Sequence, residues 1–268
     1  MPRLQEGSRS SGLGCAGRAN RFLPHRQFFD QVFAHFVAGS RTVFDLDHSL
    51  RRHHHLRLNN VFRPVAFGGG NITGQLYFEG GCSENSANFY FFNNIVKLNR
   101  TNCCGGIGTS TGHSLAYNNT LIGPSGSAAN TSGLSCYGGV SMTRHCSIFN
   151  NVVTTEYEEI GDLDAVEDPG SPDYNVYANC TSDNCFDGYS TFSAYRVANP
   201  GLDSHSVYAA GADLDSNGVP QSGSPALNAG INLSNLCTGS LTPLCSDITG
   251  HPRPTTGRWD AGAYEVSH

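Results

Sequence analysis

The stretches FFNNIV (91–96) and IFNNVV (148–153) place two asparagines between aromatic and aliphatic residues in the same order, twice in one chain. Asn is among the poorer strand residues, so an Asn pair inside an apolar run calls for a structural reason. Weaker copies read Leu58-Asn59-Asn60-Val61-Phe62 and Tyr117-Asn118-Asn119-Thr120-Leu121. From copy to copy the first Asn advances by 34, 25 and 32 residues, a spacing typical of stacked repeat arrays. Trp259 is the only tryptophan and no Gly-His/Trp-Asp blade signature occurs, which sets a propeller aside.

The runs Gln75-Leu76-Tyr77-Phe78, Asn88-Phe89-Tyr90-Phe91-Phe92 and Ser147-Ile148-Phe149 are short, apolar and β-rich. Between them lie Gly-rich turns, GGGNITG (68–74), CCGGIGTSTG (103–112) and GPSGSAANTSG (123–133), which break helices and suit tight corners. The pattern predicts an all-β parallel β-helix whose corners tolerate a buried polar residue. Asn suits such a corner because its amide donates to one coil and accepts from the next, so stacked side chains satisfy one another. Asn93, Asn118 and Asn150 are expected to form that stacked file, and the unequal spacings then mark loops of different length.

Composition agrees. The 32 glycines and only 14% charged residues among 268 suit stacked β structure better than helices, and the length allows one elongated domain with a sizeable core. Net charge divides unevenly. Residues 1–63 carry ten Arg and four acids, a balance of +6, whereas residues 64–268 carry six basic and eighteen acidic residues, a balance of −12. An acidic repeat region argues against a nucleic-acid partner. Residues 1–57 lack Asn pairs and hold six of the eleven His. Within them Phe28/Phe29, Val32/Phe33 and Phe36/Val37 recur at helical spacing, so a capping helix near 25–38 is weighed against a stretch of little stable structure. Domain organisation is thus read as an atypical basic segment 1–57 followed by repeats over 58–268.

Nine of the ten Cys fall between 82 and 245, high for a reducing compartment. Cys180/Cys185 and Cys237/Cys245 bracket short loops and are expected to form local disulfides of an exported protein. Cys103, Cys104, Cys136 and Cys146 read instead as small buried hydrophobes. Residues 1–30 lack the apolar run of a secretion signal, and no stretch is long and apolar enough to span a membrane as a helix.

The C-terminal third reads SPDYNVY (171–177), NPGL (199–202), GSPALNAG (223–230) and DITGHPRPTTGRWDAGAYE (247–265). This order resembles the closing sequence of bacterial right-handed parallel β-helix repeat proteins of the pectate-lyase-like superfamily, which end in a DYN-x-Y strand, a SPA-x-x-AG turn, then D-x-x-G-x-x-RP and D-x-GA-[YF]-E. Asp247, Gly250, Arg253, Pro254, Asp260, Gly262, Ala263, Tyr264 and Glu265 match, and the resemblance covers about 58–266. It implies the right-handed fold, export and coils upstream of this chain. The closing motif itself is expected to be a terminal cap, with Pro254 stopping a strand and Asp and Arg side chains pairing across the final coil.

The same resemblance implies polysaccharide chemistry, for which a groove across stacked coils is suited. A lyase acting on uronates neutralises a carboxylate, often with Ca²⁺, and removes the C5 proton with a Lys, Arg, His or Tyr base. Before residue 190 the repeat region offers Lys97, Arg100, His113, Arg144 and His145. Lys97 and Arg100 follow one Asn pair and Arg144-His145 precede another, so equivalent corners are expected to bring them to one face. Each also reads as an ordinary solvated turn residue. A glycosidase needs paired carboxylates, and residues 64–153 supply only Glu79 and Glu84.

Acids concentrate instead in TTEYEEIGDLDAVEDPGSPD (154–173), with eight acids and no basic residue. Such a run is commonly a solvated loop; the functional alternative is Ca²⁺ bound by Asp162, Asp164, Glu167 and Asp168. In DLDSNG (213–218), Asp213, Asp215 and Asn217 at alternate positions before Gly218 match half of a calcium loop, but the twelfth position is Ser224 rather than Glu, which suits an ordinary turn. His53-His54-His55 cannot all face one ion from a strand, and no G-x-S-x-G nucleophile turn is present. The sequence therefore predicts an exported, monomeric β-helix that recognises, and by β-elimination cleaves, an acidic polysaccharide, set against a non-catalytic surface or adhesive scaffold.

Overall fold

The computed structural model describes residues 65–68, 71–73, 76–78, 88–98, 105–109, 113–123, 132–135, 146–155, 158–161 and 171–267. The expected capping helix near 25–38 lies outside the described residues, as does all of the segment 1–57. Fourteen short strands form three sheets in which every strand pairing is parallel. The first sheet holds β1 (Val65–Gly68), β4 (Asn88–Phe92), β7 (His113–Tyr117) and β10 (Cys146–Phe149). The second holds β2 (Asn71–Thr73), β5 (Ile95–Lys97), β8 (Thr120–Ile122), β11 (Val152–Thr154), β13 (Val176–Ala178) and β14 (Val207–Ala209). The third holds β3 (Leu76–Phe78), β6 (Gly105–Thr109), β9 (Ser132–Ser135) and β12 (Glu158–Gly161). From β1 to β12 the chain visits the sheets in strict rotation. Isolated parallel bridges Phe149↔Asp173 and Ile160↔Phe186 carry the rotation one circuit further.

Register converts the sequence repeat into stacked side chains. Phe91, Ala116 and Ile148 are aligned in the first sheet, Val96, Leu121, Val153 and Tyr177 in the second, and Ile107, Leu134 and Ile160 in the third. All belong to one buried cluster, which Phe186 and Tyr195 close at its C-terminal end. Tyr195 comes from the single α-helix among the described residues, α1 (Phe192–Ala198), whose start is capped by the Thr191 hydroxyl accepting from the Ala194 N–H.

Each Asn pair turns the chain from the first sheet into the second, and its two members have separate tasks. Asn93, Asn118 and Asn150 adopt φ of 53°, 51° and 60°, a left-handed conformation that Asn tolerates better than most residues. The stacked file is built by the second Asn of each pair, which corrects the expectation placed on the first. The Asn94 amide donates to Asn119 Oδ1 (2.9 Å), Asn119 to Asn151 Oδ1 (2.9 Å), Asn151 to Asn175 Oδ1 (3.0 Å), and Asn175 to Asp203 Oδ1 (3.3 Å). Each accepting oxygen but the last also takes a backbone N–H from the previous corner, at 2.9–3.0 Å. The first Asn cannot join, because its left-handed backbone turns its side chain toward the C-terminal segment.

That segment is not a terminal cap, the second correction. Residues beyond 210 fold back along the outside of the first two sheets. Asn93 Nδ2 donates to the carbonyls of Ser246 (2.7 Å) and Pro243 (3.2 Å), Asn118 Nδ2 to those of Asp260 (3.1 Å) and Gly262 (3.4 Å), and Asn150 Nδ2 to that of Ile231 (2.7 Å). Trp259, Leu233, Leu241 and Leu244 pack with Phe92 and Tyr117, and Ala212, Ala226 and Ala261 pack with Val152 and Val176. Covering both faces explains why both residues after each Asn pair are apolar or buried instead of alternating. The approach is close enough to require glycine: a Cβ on Gly262 (φ +92°) would stand 2.6 Å from Thr120 Oγ1. Buried Arg253 ties the return together, donating to Glu265 (2.8 Å), to the Gly262 carbonyl (2.9 Å) and to Asn93 Oδ1 (3.1 Å), with its guanidinium 5.4 Å from the Trp259 ring. Pro254 does not stop a strand; its carbonyl accepts from the Trp259 indole (2.7 Å) and from Asn232 (3.1 Å).

Disulfides join Cys180 to Cys185 and Cys237 to Cys245, as the spacings predict. Cys146, expected as a buried free thiol, is buried but disulfide-bonded. Cys103, Cys104 and Cys136 lie outside the described residues. No helix among the described residues is long and apolar enough to cross a membrane.

Candidate functional site

Residues singled out in the sequence do not converge. Lys97 ends β5 in the second sheet, and its ammonium donates to the Ser216 carbonyl (3.1 Å) in the returning segment. Residues 99–104 link the second sheet to the third, whereas 136–145 link the third to the first. Lys97 and Arg100 therefore do not occupy a corner equivalent to that of Arg144 and His145, because three sheets make three distinct corners per circuit. Arg100, Arg144 and His145 lie outside the described residues, as do Asp162, Asp164, Glu167 and Asp168.

Asp213, Asp215 and Asn217 form a tight turn packed against β8. Asp215 Oδ1 accepts from the backbone of Asn217 (2.8 Å) and Val219 (2.9 Å), and these backbone bonds, that of Val219 foremost, hold its carboxyl below the usual range. Gly218 (φ +87°) completes the turn. Its carboxylate oxygen is thus engaged by its own loop, and among the described residues no group of three or more His, Cys, Asp or Glu gathers as a metal set.

A different constellation assembles one circuit beyond the last Asn pair. Asp173-Tyr174-Asn175 occupies the corner that Asn pairs occupy earlier, Asn175 taking the place of the second Asn and Tyr174 that of the first. Tyr174 adopts φ of 56°. A bulky aromatic in the left-handed region is strained by roughly 1–2 kcal/mol, and such strain gathers at functional sites. The ring stacks on the His205 imidazole, centroids 4.6 Å apart and 8° from parallel, and the Arg258 guanidinium stands 5.8 Å from the Tyr174 centroid.

Behind His205 lies Asp173, whose carboxylate is fully engaged. Its Oδ1 accepts the backbone N–H of His205 (2.6 Å) and of Tyr174 (2.9 Å); its Oδ2 faces His205 Nδ1 (2.6 Å) and accepts from the Ser204 hydroxyl (3.2 Å). Asp173 is buried and the His205 side chain 53% exposed. A carboxylate only accepts, so Nδ1 carries a proton and Nε2 presents its lone pair. The arrangement joins a cation, a two-ring platform and an oriented imidazole on one exposed surface.

The loop that carries His205 is anchored two residues earlier by Asp203, which is fully buried. Its carboxyl accepts from the Ser206 hydroxyl (2.5 Å), Tyr195 (2.9 Å), Tyr177 (3.0 Å) and Asn175 (3.3 Å). Burial raises its pKa, and the four hydrogen bonds only partly oppose that rise. Asp203 thus ends the amide file and fixes the His205 loop against the core.

Comparison of the chain with protein-family models, with curated proteins and with solved structures finds no match. Sequence reading quoted SPDYNVY as a fold signature and passed over Asp173, Tyr174, His205 and Arg258 as a site. Aligning Asp173-Tyr174-Asn175 with the Asn pairs reveals the aromatic at a left-handed corner. Nothing local signals that His205 and Arg258 meet it.

Proposed function

We propose that the chain is a right-handed parallel β-helix from an exported protein, and that it binds an acidic polysaccharide at the Tyr174–His205–Arg258 surface. The strict three-sheet rotation, the amide file and the resemblance of residues 58–266 support the β-helix. Disulfides Cys180–Cys185 and Cys237–Cys245 suit an oxidising exterior. The single observation that carries the binding surface is Tyr174 held at φ 56° beside an exposed guanidinium and imidazole. Aromatic faces stack on sugar rings, and Arg pairs bidentately with carboxylates. Calcium is proposed only for the acidic run Asp162, Asp164, Glu167 and Asp168, because Asp215 already serves its own turn.

Affinity electrophoresis through gels containing pectate, alginate or a glycosaminoglycan tests the reading. One polymer is expected to retard the protein, less so in high salt, and Arg258→Ala and Tyr174→Asn are expected to remove the retardation. Unretarded wild-type protein in every gel, or undiminished retardation of both variants, would overturn it. A non-catalytic scaffold is the second reading, favoured by the bond between Lys97 and Ser216, which removes one proposed base from action.

A further inference from the structure

We propose that His205 is the proton acceptor of a β-elimination carried out on a uronate polymer at this surface, with Asp173 as the residue that positions it. The proposal rests on the binding reading above and adds a reaction to it.

Three features of the geometry point to elimination. Nδ1 of His205 is committed to Asp173 at 2.6 Å while the ring is half-exposed, which leaves Nε2 as an oriented base open to a ligand. Both oxygens of Asp173 are occupied by four donors, so this carboxylate cannot also act on substrate. Hydrolysis of a glycosidic bond needs two working carboxyl groups, and the described surface around His205 has none to spare. Elimination needs only a base and a cation that stabilises charge on the uronate carboxylate as the neighbouring C–H ionises. Arg258, on the same Tyr174 ring, supplies the cation.

In the step, Nε2 takes the C5 proton, the C5–H electron pair becomes the C4=C5 double bond, and the C4–O bond breaks. The departing oxygen receives the proton from the imidazolium and leaves as a hydroxyl on the other fragment. No water, metal or redox partner is consumed.

The test follows near-ultraviolet absorbance of the unsaturated uronate with the polymer that retards the protein. Wild-type chain is expected to generate product. His205→Gln should lower kcat by at least about 100-fold, the usual worth of a general base, with KM and gel retardation unchanged. Added imidazole should restore part of the turnover of His205→Ala. Asp173→Asn keeps the accepting Oδ1 but places an amide donor at Nδ1, driving the proton to Nε2; kcat should fall with KM and melting temperature unchanged. Retardation without product overturns the elimination while leaving the binding reading intact. Product formation that survives His205→Gln overturns the assignment of the base, and absence of any retardation overturns both readings.

Discussion

Replacing Asn119 by Ala removes the central rung of the amide file. Asn119 is fully buried, and its side chain makes four hydrogen bonds: Oδ1 accepts the Asn94 N–H (3.0 Å) and Asn94 amide (2.9 Å), and Nδ2 donates to the Phe91 carbonyl (2.9 Å) and Asn151 Oδ1 (2.9 Å). At about 1 kcal/mol per bond, the expected loss is about 4 kcal/mol. Domain stabilities run from about 5 to 15 kcal/mol, so this one substitution should lower the urea midpoint by about 2 M at a slope of about 2 kcal/mol/M. Circular dichroism across a urea titration measures it, with exposed Asn235→Ala as a comparison expected within about 0.5 kcal/mol of wild type. Asn119→Asp should lose more at neutral pH, because it deletes both donors and buries a charge against Asn151 Oδ1. An Asn119→Ala loss below about 1 kcal/mol would refute the view that the file holds the circuits together.

Asp203 gives a pH dependence. Its folded pKa lies above the unfolded value of 3.8, so the folded state holds the proton longer; this contribution is complete below 3.8 and is lost as pH rises through the folded value, with a slope of at most about 1.4 kcal/mol per pH unit. Urea titrations at a series of pH values should show that decline in wild type and not in Asp203→Asn; parallel curves would contradict it. Arg253→Met should cost about 3–5 kcal/mol by leaving the Glu265 carboxylate buried without its partner, and the double variant Arg253→Met/Glu265→Gln should recover part of that loss in a double-mutant cycle. Tyr174→Asn should keep melting temperature within a few degrees, since relief of left-handed strain offsets the lost ring stacking.

Local periodicity was readable in the sequence. Paired asparagines between β-rich runs announced parallel strands and polar corners, and the short spacings of Cys180/Cys185 and Cys237/Cys245 announced their disulfides, because both depend on neighbours within a few residues or on a repeat that recurs along the chain. Register was not readable. Whether Asn93 or Asn94 enters the file depends on which of them takes φ near 53°, a choice of one dihedral that places the other amide over its neighbour in the next circuit. The return of the C-terminal segment was hidden for a related reason. Arg253 meets Asn93 across 160 residues of chain, and the matching motif looks the same in sequence whether it closes an end or runs along a side. His205 reaches Asp173 across 32 residues, a separation equal to no strand or turn period, since the intervening loop and α1 bring them together. Pattern along a chain specifies elements that repeat; the meeting of single, unrepeated side chains is specified by how the whole path packs, and here that packing alone brought Asp173, Tyr174, His205 and Arg258 to one surface.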